Sequence, residues 1–187
     1  NTAVGYETMK RNNTGIRNTA IGQQALAYNT TGDNNTALGL QALFKNTTGD
    51  SNTSVGYDSL EQNTTGNNNV AVGYQALDSN TEGSSNVAIG RDAMQLNTTG
   101  QQNVAMGYEA LHTNSTGHSN TAIGHQASFA ITTGIRNTAL GYQSLRNQTT
   151  ASGTVALGHH ALYNNTTGSG NVAVGYKAMS INQTGGN

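Results

Sequence analysis

The chain reads as an all-β protein, a single-stack parallel β-solenoid of eleven coils. Three features point there. The 187 residues divide into eleven consecutive 17-residue units with no insertion or deletion. Each unit opens on a short alternating stretch that ends at a glycine. The composition is too polar for a conventional packed domain, with 34% hydrophobic and 9% charged residues, 24 Gly and no Pro, Cys or Trp. Typical globular domains are about 45–50% apolar and about 25% charged. Disordered chains of such low hydrophobicity carry high net charge or proline. Here the net charge is −1 and proline is absent, which leaves a regular polar repeat.

The units begin at Asn1, Asn18, Asn35, Asn52, Asn69, Asn86, Asn103, Asn120, Asn137, Thr154 and Asn171, and together form one continuous repeat domain over 1–187. Their consensus is N-[T/V]-A-[V/I/L]-G-Y-x-A-L-x-x-N-T-T-G-x-x. In the first four positions, Thr or Val at the second and an aliphatic at the fourth point one way. Asn at the first and Ala at the third point the other, the period of a short strand. The fifth position is glycine in every unit: Gly5, Gly22, Gly39, Gly56, Gly73, Gly90, Gly107, Gly124, Gly141, Gly158 and Gly175. Glycine there implies a structural turn, with positive φ or close approach of a neighbouring backbone. The ninth position is Leu or Met except at Ser128, and the twelfth is Asn except at Ile131 and Gln148. The thirteenth and fourteenth are mostly Thr, a β-branched pair suited to a second short strand. The fifteenth is Gly except at Ala151, and Asn before and Gly after the Thr pair are turn chemistry.

A unit this short cannot hold a helix pair or a propeller blade. It suits one solenoid turn with two strands and two corners. The stretch between Gly5 and Asn12 makes a poor isolated helix. Stacked coils rise about 4.8 Å each, so the whole would be a rod on the order of 50 Å. The core is thin, with two large aliphatics per coil, such as Val72 and Leu77, beside alanine. Two buried side chains at roughly 1.5–3 kcal/mol each barely offset the entropy of ordering a coil. Rods are therefore expected to bundle, with the alanine faces or the sixth-position column of Tyr6, Tyr57, Tyr74, Tyr108, Tyr142 and Tyr176 at the seam. The alternative for those rings is simple cover of the corner.

The charge balance lacks the basic footprint of a nucleic-acid partner. No apolar run approaches the ~20 residues of a transmembrane helix, so this segment is not expected to insert in a membrane. Because the chain starts and stops at unit boundaries, it is expected to be a piece of a longer protein. Without cysteine there is no disulfide, thiolate metal site or thiol nucleophile. His112, His118, His125, His159 and His160 show no metal-ligand spacing. Asp33 with Asp50, and Asp92 with Glu109, stack in adjacent units and could hold a cation or do acid–base work. A solvated loop explains them as well. No nucleophile triad or phosphate loop appears, so no enzyme and no cofactor are expected.

Asn12, Asn29, Asn46, Asn63, Asn97, Asn114, Asn165 and Asn182 each satisfy Asn-x-Ser/Thr, the glycosylation acceptor. Turn or ladder asparagines would explain the same residues without sugar. The Thr pair raises ice or polysaccharide binding, but adjacent strand residues face opposite ways and only one file could face out.

Asn-Val-Ala-Val-Gly-Tyr at 69–74 and 171–176, and Asn-Val-Ala-Ile-Gly at 86–90, resemble the head repeats of YadA-like trimeric autotransporter adhesins. The units are similar also to repeats of phage and giant-virus tail fibres. The adhesin-head unit is shorter, so this one carries an extension around its Leu-x-x-Asn corner. The resemblance implies a left-handed β-roll, a homotrimer and an extracellular place on a cell-surface appendage or virion fibre. It implies a structural or adhesive role towards a host surface, extracellular matrix or glycan, and the variable tenth, eleventh, sixteenth and seventeenth positions of the units are expected to display the contacts. Phe44-Lys45 and Ile135-Arg136 are examples of these positions. A purely structural filament subunit is the alternative.

Overall fold

A computed structural model describes residues 1–185 of the chain, so the last two residues of the eleventh unit lie outside the described range. Among the described residues there are eleven three-residue strands and no helix, from β1 (Thr2–Val4) to β11 (Val172–Val174). All join one parallel sheet whose order is the chain order. Each strand residue pairs with its counterpart one unit ahead: Val70 with Val87, Ala71 with Ala88, Val72 with Ile89. That register makes a solenoid, one coil per unit, with like side chains in files.

The strands form where the sequence is [Thr/Val]-Ala-aliphatic, the β-branched stretch of each unit. Thr36 N donates to Asn52 O at 2.8 Å, and Gly56 N donates back to Leu38 O at 2.8 Å. The fifth residue then turns the chain. Gly39 has φ +139°, and a Cβ there would collide with Gly56 O in the next coil. Only glycine meets both demands.

The expected second strand does not form. In the third coil the N–H groups of Thr47 and Thr48 both donate to Thr64 O, at 3.0 and 3.1 Å. The Thr47 hydroxyl donates to the same carbonyl at 2.9 Å. Three donors converge on one acceptor, so the Thr pair makes a bend. The stretch after glycine is also irregular, because the seventh and ninth residues adopt left-handed backbone, as at Gln75 (φ 50°) and Leu77 (φ 54°). Alternating hands prevent a helix and turn Leu77 fully inward.

The core differs from expectation in one respect. Leu77 is buried and Ala71 and Ala76 lie beside it, but Val72 faces outward and is only half-buried. One large apolar side chain is buried in each coil from the second to the tenth, not two. The alanine faces are inside and unavailable as a seam between rods.

Polar ladders supply what the thin apolar core lacks. The first-position and twelfth-position asparagines are buried in files. Within the third coil, Asn35 Nδ2 and Asn46 Nδ2 both donate to Gly49 O, at 2.8 and 2.9 Å. Between coils, Asn46 Nδ2 also donates to Asn29 Oδ1 at 2.8 Å, and Asn35 N donates to Asn18 Oδ1 at 2.8 Å. A Cβ on Gly49 would collide with Asn46 Oδ1, which is why the fifteenth residue is glycine.

The first-position ladder is interrupted at Thr154, which carries no side-chain amide, and the twelfth-position ladder at Ile131. Ile131 has no donor to offer, and Asn114 Oδ1 is left buried without a partner. In the same coil Ser128 replaces the core Leu, and its hydroxyl is likewise unpartnered. A small residue at the ninth position and a large one at the twelfth exchange volume within the core.

Two sets of variants test this account by urea unfolding. Gly73→Ala should lower the midpoint by the equivalent of about 3 kcal/mol or more, because its Cβ would meet Gly90 O at 2.5 Å with φ at +139°. Gly153 has φ +68° and open space where a Cβ would project, and other coils carry Arg136 or Ser119 at the same position. Gly153→Asn should therefore not lower the midpoint, and chain-entropy loss favours a gain of up to about 1 kcal/mol. The double variant Ser128→Leu/Ile131→Asn should restore ladder and core together and gain about 2 kcal/mol. A double variant no more stable than the parent would refute the exchange of roles.

Candidate functional site: the outward face

The outward parity of each strand lies at the second and fourth positions. The second is Thr or Val. The fourth is aliphatic in every coil: Val4, Ile21, Leu38, Val55, Val72, Ile89, Met106, Ile123, Leu140, Leu157 and Val174. None of these is fully buried, and Ile21 and Leu140 are 44% and 48% exposed. An apolar file thus runs along the rod beside the exposed sixth-position file. The alternation is readable in the sequence, but the side of the core is not. Alanine takes the inside because the coil has room for only one large side chain beside its asparagines.

The sixth-position file is an aromatic ladder from the fourth coil onward. Tyr57 and Tyr74 stack at 5.2 Å with ring planes 8° apart. The Arg91 guanidinium continues the stack, 5.2 Å from the Tyr74 ring and 5.9 Å from that of Tyr108. Tyr108, His125, Tyr142, His159 and Tyr176 follow with centroids 5.1, 5.1, 4.9 and 5.3 Å apart. His125 and His159 are members of this stack. Its rings cover one another's faces, so edges and hydroxyls are presented outward rather than open π surfaces.

The seventh position carries a polar ladder beside it. Gln143 Nε2 donates to Gln126 Oε1 at 2.7 Å, and the His160 ring bonds Gln143 at 3.0 Å. Burial, then His159 and Lys177, hold His160 below the ordinary imidazole value. The stacked pair Asp92 and Glu109 does not converge on a shared site. Asp92 accepts from Arg91 Nε at 3.0 Å, and Glu109 accepts from Gln126 Nε2 at 2.6 Å. Asp33 and Asp50 have a backbone role: they accept the N–H groups of Ile16 and Asp33, each at 2.7 Å. His112 stacks on Phe129 at 5.1 Å and bonds Gln95. His118 lines a shallow groove of about 350 Å³ with Thr99, Gln101, Gln102 and Thr116. Among the described residues no three His or carboxylate side chains close on one point.

The glycosylation acceptors fall on the buried ladder. Asn29, Asn46, Asn63, Asn97, Asn114 and Asn165 are fully buried, with Nδ2 donating to the fifteenth-position carbonyl of the same coil. A sugar on that nitrogen is incompatible with the folded coil. Asn12 and Asn182, in the terminal coils, are half-buried but make the same bond. Of the Thr pair, the fourteenth residue faces out, as at Thr48, Thr65 and Thr99, while the thirteenth bonds the next coil. The outward hydroxyls form one file, not a plane.

No protein-family model, curated protein or solved structure matches the chain.

One carboxyl stands apart. Burial, then Glu61 and Asp58, push half-buried Asp78 up from 3.8 to about 7. Between those values the folded chain holds a proton that the unfolded chain has released. Stability contributed by that proton is present at low pH and is lost as pH rises towards 7. Asp78→Asn should therefore gain about 1–2 kcal/mol at pH 8 in chelator, after allowance for solvent screening, and little at pH 4. Urea midpoints at the two pH values check it; equal gains would refute the assignment.

Proposed function

We propose that the chain is a stiff segment of an extracellular fibre, built by three parallel copies packed along the outward aliphatic file. The observation that carries this reading is the fourth position. It faces solvent in the single chain, the coil does not need it for its core, and yet it is aliphatic in all eleven units. The second position, on the same parity, alternates between Thr and Val, and the tenth varies freely, from Lys10 and Phe44 to Glu61 and Arg146. A solvent-facing file kept apolar over the length of a rod fits burial against another copy. Parallel copies with the same repeat length put identical coils level, so one contact geometry repeats at every rung. The trimeric count and left-handed coil follow the resemblance to adhesin heads.

Within such a bundle the ordered ladders give stiffness and the repeat gives length. The variable tenth, eleventh, sixteenth and seventeenth positions supply contacts to a cell surface, matrix or glycan. An adhesive head and a structural shaft share this architecture and differ in whether those positions bind a receptor.

Sedimentation equilibrium is expected to give three times the chain mass. Val72→Glu/Ile89→Glu should dissociate the assembly, while the parent's circular dichroism spectrum is retained at matched concentration. A parent chain that sediments as a monomer at micromolar concentration would remove the bundle reading.

A further inference from the structure

We propose that Asp58, Glu61 and Asp78 form a binding site for a hard divalent cation of the calcium class, on the flank of the rod between the fourth and fifth coils. The repeat supplies its own reference for what belongs there. At two places the tenth-position side chain of one coil reaches the seventh-position side chain of the coil before it. Gln95 Nε2 donates to Gln75 Oε1 at 2.9 Å in this way, and Arg146 Nε donates to Gln126 Oε1 at 3.1 Å. Between the fourth and fifth coils the same two positions hold Asp58 and Asp78. Two acceptors stand where those two junctions set a donor against an acceptor.

The missing positive partner is visible atom by atom. Asp58 is nine-tenths buried, and Oδ1 of Asp58 and Oδ1 of Asp78 are both buried without a hydrogen-bond partner. Glu61 precedes Asp78 in the tenth-position file and adds a third carboxylate that, with Asp58, disfavours the Asp78 anion. Gln75 and the Tyr57 hydroxyl reach Asp58 but carry no charge, and the nearby cation is engaged elsewhere. Lys45 Nζ donates to Gln62 Oε1, and Gln62 Nε2 donates to Glu61 Oε2 at 2.6 Å. Buried carboxylates without a partner are costly, and a bound cation or a proton is what relieves them.

The ligand chemistry selects the ion. The donors are carboxylate oxygens, with no imidazole or thiolate among them, which suits calcium rather than copper or zinc. Because no three of these groups already close on one point, Asp58 and Asp78 provide the first protein ligands. Glu61 turns in, and water completes the shell. Calcium accepts such irregular, partly hydrated coordination where magnesium does not, and sites of this kind bind at about 10⁻⁴–10⁻³ M. An ion here would clamp two successive coils through their side chains.

Terbium is the probe, because Tyr57 lies next to Asp58 in the chain and Tyr74 stacks on Tyr57 at 5.2 Å. The full chain, stripped with chelator at pH 7.5, is titrated with TbCl3 under tyrosine excitation and then with CaCl2. Saturable tyrosine-sensitised terbium emission that millimolar calcium displaces is expected. Asp78→Asn should weaken both ions by about tenfold or more through loss of a charged ligand. Glu61→Gln, which leaves the buried pair intact, should weaken them less and guards against a folding defect in the first variant. Asp33→Asn, which keeps the oxygen that bonds Asp33's neighbouring backbone, should titrate like the parent. The proposal is overturned if no calcium-displaceable emission appears. It is also overturned if Asp78→Asn binds as the parent does, or if only protons stabilise the parent.

Discussion

One carbonyl per coil governs this fold. The oxygen of the fifteenth residue accepts a side-chain amide from the first and from the twelfth residue of its own coil, as Gly49 O does from Asn35 and Asn46. Those two asparagines then hand their oxygens to the neighbouring coil. Each bond is modest on its own, but left unmade inside the rod each polar group would cost about 1–3 kcal/mol. The ladder thus ties each coil to its neighbours, and chained amides polarise one another. A core with one large aliphatic per coil could not fix so narrow a tube. The asparagines do, and they also forbid insertions, because a coil of different length would lose its partners on both sides.

That division of labour decides which residues are free. The inward files are spoken for by the ladder, the alanines, the leucine and the glycine turns. Many of the positions facing out, such as the tenth and eleventh, change from coil to coil. The position facing out that stays apolar from Val4 to Val174 therefore answers to something outside the single coil. So does the aromatic ladder in part, although its rings already satisfy one another by stacking and require no partner. The contrast between these two files makes the aliphatic one the better marker of an interface.

Much of the architecture is legible in the sequence, because a strict period with invariant glycine leaves few ways to stack. Coil length, parallel register and the glycine turns follow from the spacing alone. The second strand is not legible, because β-propensity describes isolated side-chain preference, whereas Thr47 and Thr48 share a single acceptor in the neighbouring coil. Nor is the outward side of Val72, because alternation gives two parities and no sign. The sign comes from steric room beside two asparagines, which is a property of the closed tube. The same burial turns apparent glycosylation acceptors into structural amides. The unpaired carboxylates of Asp58 and Asp78 lie twenty residues apart, and only the observed reach from tenth to seventh position makes them neighbours.

Three departures from consensus are paired within a coil. In the fourth coil Ser54 and Ser59 replace both inward alanines and hydrogen-bond to each other, so neither hydroxyl is orphaned. In the ninth coil Ala151 replaces the ladder glycine and Gln148 replaces its asparagine. The longer glutamine still reaches the carbonyl of Ala151 at 2.6 Å. In the eighth coil Ser128 and Ile131 conserve volume but not hydrogen bonding, and two polar atoms are left unpartnered. Coupling of this kind is short in range, since each coil touches only its neighbours. The eighth coil accordingly passes no amide bond along the twelfth-position file to the coils on either side.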